Sequence, residues 1–201
     1  MKIIECEQLS EEWFEARRGI PTSSSFDKIV TSTGAPSKQK TKYMYRLAGE
    51  KISGRNEDMY QSKAMERGVE VEEEARDFYQ VCSGKELRQV GFCLSEEGYG
   101  ASPDCLVDDD GSLEIKCPLM STQVEYLLDK KLPVAYFQQT QGHLLVTGRK
   151  WVDFLSYYPG LQPVIVRVGR DEEFLAKLRI ELTLFCNQLN ELIEKIKWGK
   201  K

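Results

Sequence analysis

Long apolar runs are missing from this sequence, and none approaches the roughly 20 residues that a membrane-spanning helix needs. The N-terminal stretch MKIIECEQLSEEW has no signal-peptide pattern, so we expect a cytoplasmic protein without a membrane partner. Internal repeats, low-complexity tracts and obvious linkers are also missing. The 201 residues, of which 41% are hydrophobic and 30% charged, are typical of a folded chain. We therefore expect residues 1–201 to form a single domain.

Closely spaced cysteines are missing as well. The six cysteines are Cys6, Cys82, Cys93, Cys105, Cys117 and Cys186. No two of them form a C-x-x-C pair, which excludes the usual spacing of zinc and iron–sulfur sites. In a cytosolic chain, scattered cysteines are mostly small, buried apolar residues.

Positive charge is in deficit overall, since the formal net charge is −4, but the charges are unevenly distributed. Residues 16–55 hold nine Lys and Arg and only two acids, whereas residues 66–114 hold four Lys and Arg and fourteen acids. A basic segment beside an acidic one suits an enzyme that binds phosphates at one place and a divalent metal at another. Two solvated faces of opposite sign would give the same pattern.

Hydrophobic periodicity and breaker residues predict seven helices and five strands. The helices are expected near residues 10–18, 23–31, 42–53, 61–83, 122–130, 134–147 and 171–198. The strands are expected near residues 87–94, 99–108, 112–117, 150–158 and 162–168. Short turns join the middle strands, so these should pair antiparallel. The pattern predicts an α/β fold with a small central mixed sheet flanked by helices.

The acidic stretch SPDCLVDDDGSLEIKCP, residues 102–118, predicts a β-hairpin. We place its turn at residues 109–111, with Gly111 as the left-handed residue. Because side chains alternate along a strand, Asp104, Glu114 and Lys116 then share one face, with the two acids as diagonal neighbours. Their carboxylates could converge on one cation. The opposite, apolar face belongs to the core and consists of Cys105, Val107, Leu113, Ile115 and Cys117.

The three consecutive aspartates of this hairpin, residues 108–110, are interpreted as turn residues in water. A calcium-binding EF-hand loop with Gly111 at its sixth position would place Leu106 first and Cys117 twelfth. Neither side chain supplies the oxygen ligand that those positions require. A calcium-binding EF-hand loop is therefore excluded for this stretch.

A further carboxylate lies on a predicted helix face. In the stretch MERGVEVEEEARDFYQVC, residues 65–82, apolar residues recur at helical spacing, and Glu72 falls in the middle of that apolar stripe. The residues of the stripe are Met65, Val69, Ala75, Tyr79 and Cys82. A carboxylate on a buried face requires a partner. That partner could be a buried arginine, or it could be a metal or an active-site lysine.

Several of these features together resemble one nuclease family. Pro103-Asp104, then nine residues, then Glu114-Ile115-Lys116 is the pattern of the PD-(D/E)xK nucleases. Glu72 in GVEVEEEAR, then SPD, LEIKCP and QQTQ at 138–141 follow in an order that resembles the phage lambda exonuclease and YqaJ-type viral recombinase nucleases. The segment WFEARRGIPTSSSF resembles the W-x-x-x-R-x-G-x-x-T-x-S segment of that family. The resemblance covers about residues 10–160.

The resemblance implies an active site in the middle of the chain. The implied catalytic residues are Glu72, Asp104, Glu114, Lys116 and Gln139. Asp104 and Glu114 would bind the metal together with the backbone carbonyl of Ile115. Hard oxygen ligands select Mg²⁺, for which Mn²⁺ can substitute, and two ions would act at each site. Lys116 could be a base, but neighbouring carboxylates raise a lysine pKa, which favours a cation that orients water.

The resemblance also implies a site for the 5′-phosphate of DNA, formed by Arg17 with Thr22, Ser23 and Ser24. Independently, the TSSS stretch opens a predicted helix, where free N–H groups favour a phosphate, although a simple helix cap would look the same. The sequence departs from lambda exonuclease at Gly34, where that family member has basic residues. The expected DNA-binding residues are instead Lys38, Lys40 and Lys42, with Met65 as an apolar wedge or an ordinary core residue.

The function that this resemblance implies is processive 5′–3′ digestion of linear double-stranded DNA by one nuclease domain, residues 1–201. The products would be 5′-mononucleotides and a 3′ single strand for a single-strand annealing protein. The resemblance further implies a homotrimer of phage or prophage origin in the cytoplasm of a bacterial host.

Two alternatives remain open from the sequence. They are a restriction-type or flap endonuclease on the same fold, and a non-catalytic DNA-binding recombination protein. A histidine-dependent nuclease would have to rely on His143, the only histidine, which we expect only to border the helix that carries Gln139.

Overall fold

A computed structural model describes residues 1–57 and 63–199, without the side chains of residues 63–70 and 198. The helices are α1 (Glu11–Arg17), α2 (Lys40–Ser53), α3 (Lys63–Ser83), α4 (Met120–Asp129), α5 (Phe137–Thr147) and α6 (Glu172–Trp198). Two 3₁₀ helices span Ser23–Lys28 and Val134–Tyr136. The strands are β1 (Lys2–Ile4), β2 (Leu87–Arg88), β3 (Phe92–Leu94), β4 (Gly100–Ala101), β5 (Cys105–Val107), β6 (Gly111–Lys116), β7 (Trp151–Ser156) and β8 (Val164–Gly169).

The α/β prediction is confirmed, but the strands form two sheets where one was expected. The larger sheet has the order β2-β5-β6-β7-β8, and the smaller has the order β1-β3-β4. The predicted strands 87–94 and 99–108 are wrong as continuous elements, because each breaks into two short strands that enter different sheets. The predicted helix 23–31 is a shorter 3₁₀ helix, and β1 was not predicted. Antiparallel pairing of the middle strands is confirmed.

The hairpin of β5 and β6 has a different turn from the predicted one. Leu106 pairs with Ser112 and Val107 with Gly111, so the turn consists of the three aspartates 108–110. Asp108 takes the left-handed conformation (φ 44°), which aspartate tolerates better than most residues. Gly111 is needed in the strand instead, since a Cβ there would lie 2.2 Å from the Trp151 ring.

Two hydrophobic clusters hold the elements together. In one, α3 covers the predicted apolar face of β5 and β6, where Ala75 and Tyr79 pack with Leu113. The other joins α2, α6, the first 3₁₀ helix and the smaller sheet, with Leu47 and Phe185 at its centre. The stripe predicted on α3 is wrong at its end, because Cys82 is exposed. Among the described helices, none combines the length and the apolar character needed to cross a membrane.

The cysteine prediction is confirmed only in part. All six cysteines are free, and Cys93, Cys105 and Cys186 are buried. Cys6 and Cys117 are half-buried, and Cys82 is exposed.

Candidate active site

The strand pair β5–β6 brings together the two acids and the lysine that the sequence singled out. The register places Asp104 directly opposite Glu114, not diagonally as predicted, and the Asp104 N–H donates to the Leu113 carbonyl at 3.2 Å. The Asp104 carboxylate accepts a 2.5 Å hydrogen bond from the Ile115 N–H. Lys116 Nζ donates to Glu114 Oε1. The predicted shared face is therefore present, and its acids are closer neighbours than expected.

Helix α5 packs over this face of the sheet. Gln139 Nε2 donates to Glu114 Oε1 at 2.6 Å. His143 lies one helical turn later, fully buried, with its Nε2 atom 3.5 Å from Glu114 Oε2. Among the described residues, Glu114 Oε2 and both ring nitrogens of His143 have no hydrogen-bond partner. Glu114 is thus held from two sides and keeps one carboxylate oxygen unsatisfied.

The electrostatics of the cluster favour a cation between the acids. Burial, the negative charge of Glu114 and that of Glu72 raise the pKa of Asp104 well above its usual value. Burial lowers the pKa of Lys116, but the charges of Glu114 and Asp104 outweigh burial, and the net pKa is raised. Lys116 therefore stays protonated and cannot act as a base in this state. Burial lowers the pKa of His143, so its imidazole is neutral.

The residues present fit a divalent metal ion. Two carboxylates face each other, Glu114 buried and Asp104 half-buried, and the unsatisfied Glu114 Oε2 atom is an oxygen that a cation could bind. Within the part of the chain that the structure describes, no cluster of three or more His, Cys, Asp or Glu side chains has metal-ligand spacing. Further ligands would have to come from the backbone, as predicted for the Ile115 carbonyl, or from water and the substrate phosphate.

Glu72 has the arginine partner that was one of the two alternatives for it. Its Oε1 atom accepts from Arg76 Nη2 at 3.0 Å, one helical turn away on α3. The side chain is half-buried, and its charge also raises the pKa of Asp104. Glu72 therefore borders the cluster and contributes negative charge to it.

Arg17, on α1, is half-buried beside this cluster, and no carboxylate among the described residues pairs with it. Its guanidinium lies 4.0 Å from the centre of the Trp13 ring. It donates to Ser102 Oγ at 2.8 Å and to Thr22 Oγ1 at 3.3 Å. Burial lowers the pKa of Arg17 to about 10, while Glu50 and Glu114 act on it only through space. A half-buried guanidinium whose partners among the described residues are hydroxyls, not carboxylates, is suited to an anionic ligand.

The predicted hydroxyl segment lies next to Arg17. Thr22 makes no side-chain capping bond to the 3₁₀ helix, and its hydroxyl instead contacts Ser24 Oγ at 3.3 Å. Ser24 is exposed, whereas Ser23 is buried against Gly142 of α5. The capping alternative for this segment is therefore wrong for the Thr22 side chain, and Ser23 faces the protein interior.

The predicted DNA-binding lysines have different surroundings. Lys40 forms a half-buried ion pair with Glu181 of α6 at 2.8 Å, while Lys38 and Lys42 are exposed. Lys42 lines an open cleft of 580 Å³. The residues lining this cleft are Lys28, Gln39, Lys42, Tyr43, Tyr45, Arg46 and Glu57. Met65 falls on α3, but its side chain lies outside the described residues.

Three residues at the site were not predicted. Ser102 binds Arg17, His143 faces Glu114, and the buried Ser112 hydroxyl has no partner among the described residues. Ser112 is two residues before Glu114 on β6, so it shares the face of the acids, which strand alternation could have shown. Ser102 lies two residues before Asp104, but its partner Arg17 is distant in sequence, as His143 is from Glu114, and no local pattern indicates these contacts.

Comparison with known proteins defines the class. The YqaJ-like viral recombinase domain family matches residues 12–150. An alkaline exonuclease from Laribacter hongkongensis, LHK-Exo, is 34% identical, with 95% of this chain and 98% of that chain covered. Its structure in complex with dAMP superposes with a TM-score of 0.87. No curated protein sequence matches this chain.

A phage-related exonuclease from Haemophilus somnus shares the fold at 16% identity, with a TM-score of 0.71 and 88% of this chain and 96% of that chain covered. The family match and the similarity to LHK-Exo together define the chain as a nuclease of the exonuclease class. The chain belongs to the YqaJ-like viral recombinase family, as the motifs of its sequence predicted.

Proposed function

We propose that the chain is a Mg²⁺-dependent, processive exonuclease that degrades linear double-stranded DNA in the 5′–3′ direction. It would release 5′-mononucleotides and leave a 3′ single strand for an annealing protein in phage-type recombination. Residues 1–201 would act as one nuclease domain within a homotrimer in the cytoplasm of a bacterial host. Membership of a family of DNA exonucleases is the starting point, and the finer statements rest on the site.

The observation that carries the proposal is the pairing of two unlike sites. The acidic cluster of Asp104 and Glu114 has an unsatisfied carboxylate oxygen, and the charge of Glu114 reaches the half-buried Arg17. Cleavage of DNA near a chain end needs both sites. The terminal phosphate requires a cationic group that binds it, and the scissile phosphate requires a metal ion. LHK-Exo binds dAMP, a mononucleotide with a single phosphate, which supports the expected product.

The chain's own residues have separable tasks in hydrolysis. Asp104, Glu114 and the Ile115 carbonyl would hold two Mg²⁺ ions, or Mn²⁺ in their place. When bound, these ions would supply an activated water and neutralise charge on the leaving oxygen. Gln139 fixes the Glu114 carboxylate by its 2.6 Å hydrogen bond. Lys116, whose pKa is raised, would orient the attacking water and stabilise the charge that develops on the phosphate.

The proposed 5′ polarity is supported by the group of Arg17 and nearby hydroxyls beside the acidic cluster. Arg17 would bind the terminal phosphate with Thr22 and Ser24, while the buried Ser23 would support the segment from behind. Lys38 and Lys42, both exposed, would contact the duplex backbone, and Lys40 would hold α2 against α6. The assignment of Met65 as a wedge between the strands remains part of the proposal.

An apolar surface supports the proposed assembly. Met120, Val124 and Leu128 recur every fourth residue along α4 and are 55%, 43% and 79% exposed. Apolar residues at this spacing form a stripe of the kind found at protein contacts. Either a second copy of the chain or the annealing protein would cover it.

The test compares a 5′-phosphorylated linear duplex with a covalently closed circle of the same sequence in Mg²⁺. The wild type is expected to release acid-soluble nucleotides from the linear DNA only, and Lys116→Ala to bind it normally but lose most cleavage. Cleavage of the circle would indicate an endonuclease instead. No Mg²⁺-dependent release from either DNA would indicate a non-catalytic protein.

A further inference from the structure

His143 is a buried ring beside the acidic cluster that the proposed hydrolysis does not use. It is fully buried on α5, one helical turn after Gln139. Among the described residues, its Nδ1 and Nε2 atoms have no hydrogen-bond partner, and neither has Glu114 Oε2. The Nε2 and Oε2 atoms are 3.5 Å apart, slightly longer than a normal hydrogen bond. Buried polar atoms without partners are costly, so two that face each other require an explanation.

The surroundings of the two ring nitrogens indicate which of them carries the proton. A neutral imidazole has one N–H donor and one lone pair. With the proton on Nδ1, a buried donor would have no acceptor among the described residues, and the Nε2 lone pair would face those of Glu114 Oε2. With the proton on Nε2, the donor faces a carboxylate oxygen. The Nε2–H form is therefore the favoured one.

The hydrogen bonds of Glu114 leave room for this donor and for a cation. A carboxylate offers about four lone pairs, two on each oxygen. Lys116 and Gln139 both donate to Oε1, which occupies that oxygen. Oε2 accepts from no described residue. A donor on His143 would use one lone pair of Oε2 and leave the other for a metal ion.

We propose that His143 is a positioning residue for Glu114, whose Oε2 atom accepts from the His143 Nε2–H, and that this contact raises the affinity of the site for divalent metal ions. Hydrogen bonds at such sites are often long before a ligand binds. Groups that hydrogen-bond to metal-binding side chains fix their orientation, and their loss lowers metal affinity about 10–100-fold. The inference rests on the proposed metal site and adds to it a residue that contacts neither metal nor DNA.

The first experiment measures the dissociation constant for Mn²⁺ by isothermal titration calorimetry, without DNA or turnover. His143→Leu, which has no hydrogen-bond donor, is expected to weaken Mn²⁺ binding about tenfold or more. His143→Gln, whose amide can donate, should retain most of the affinity. Val146→Ala is the matched control, because Val146 is buried on the same helix in the cluster around Leu47. It should lower the melting temperature without weakening Mn²⁺ binding.

A second measurement does not depend on whether a variant folds. His143 is the only histidine, so ¹⁵N-labelled histidine in the wild type, prepared without a histidine tag, reports on its two ring nitrogens alone. Nuclear magnetic resonance should find Nε2 protonated and Nδ1 unprotonated, both before and after Mg²⁺ is added. A proton on Nδ1 would overturn the inference. Loss of the Nε2 proton on addition of Mg²⁺ would make His143 a metal ligand, which also overturns it.

The affinities also separate the role of His143 from the metal site itself. If the wild type and His143→Leu bind Mn²⁺ equally well, the metal site stands and the role of His143 is wrong. If Val146→Ala weakens binding as much as His143→Leu does, the effect is one of stability, and the role is wrong again. If the wild type binds no Mn²⁺, the metal site of the proposed function is wrong, and the role of His143 with it.

Discussion

At the scale of single residues, the site is a balance of buried charges. Asp104 and Glu114 face each other, and Lys116 donates to Glu114, while Arg17 acts on Glu114 only through space. A second buried carboxylate without its own cation is costly. The raised pKa of Asp104 reflects that cost, since protonation removes one negative charge from the pair.

This balance predicts that metal ions and protons compete for Asp104. Because the pKa of Asp104 is raised in the folded protein, the affinity for Mn²⁺ should increase as the pH rises through that pKa. Below it, binding should release a proton. Isothermal titration calorimetry in two buffers of different ionisation enthalpy, over a series of pH values, measures both effects.

The same carboxylate should reduce the stability of the metal-free protein. A raised folded pKa means that stability is fully present below the unfolded pKa and is lost as the pH rises through the folded pKa. Asp104→Asn should therefore raise the melting temperature near neutral pH while it abolishes Mn²⁺ binding. Asp109→Asn, in the exposed turn, is the control and should change neither property. Mn²⁺ binding that is independent of pH and releases no proton would contradict the account.

Strand alternation was sufficient to predict that Asp104, Glu114 and Lys116 share a face, because a register shift of two residues preserves alternation. The exact register was not predictable from the turn residues alone. The sequence suggested that Gly111 forms the turn in a left-handed conformation, but Gly111 lies in strand β6 and its backbone freedom is not required there. The packing of Trp151 requires a residue without a side chain there, and this contact is 40 residues away in sequence.

At the scale of elements, α5 joins the two halves of the site. Gln139 and His143 of this helix face Glu114, while Gly142 faces the 3₁₀ helix that precedes the basic loop. Its sequence has little amphipathic pattern, because the helix is buried among several elements and Thr140 and Gln141 are buried as well. The sequence was sufficient to predict a helix here. It was not sufficient to predict which residues pack against each face of that helix.

The close approach of α5 to the 3₁₀ helix depends on Gly142. A Cβ there would lie 2.6 Å from the Phe26 ring and 2.9 Å from Ser23 Cβ, and Phe26 is fully buried. Gly142→Ala should destabilise the protein by about 1–3 kcal/mol through overpacking, and should weaken the preference for 5′-phosphorylated ends by displacing Ser24. Urea denaturation followed by circular dichroism measures the first effect.

Gly49→Ala on α2 is the matched control, because a Cβ there meets no atom within 4 Å. It should be neutral or slightly stabilising, as alanine favours a helix over glycine. Equal stability of Gly142→Ala and the wild type would show that the two elements are not as closely packed as the structure has them.

At the scale of the whole molecule, the uneven charge of the sequence corresponds to the two parts of the site. The acidic segment supplies the cluster on β5 and β6, and the basic segment supplies Arg17, Lys28 and Lys42. The choice between two solvated faces and two binding regions could not be made from composition. It depends on contacts between distant residues, since Glu114 is buried beside Asp104 and Arg17 is half-buried against hydroxyls.

The central claim is that this site removes nucleotides from the 5′ end of duplex DNA. The most direct measurement follows a linear duplex labelled at either the 5′-phosphate or the 3′ end, digested in Mg²⁺ by the wild type and by Asp104→Asn. The wild type is expected to release the 5′ label first, as a mononucleotide, while the 3′ label stays in long single strands. Asp104→Asn should release neither label. Early release of the 3′ label, or undiminished release by Asp104→Asn, would contradict the account.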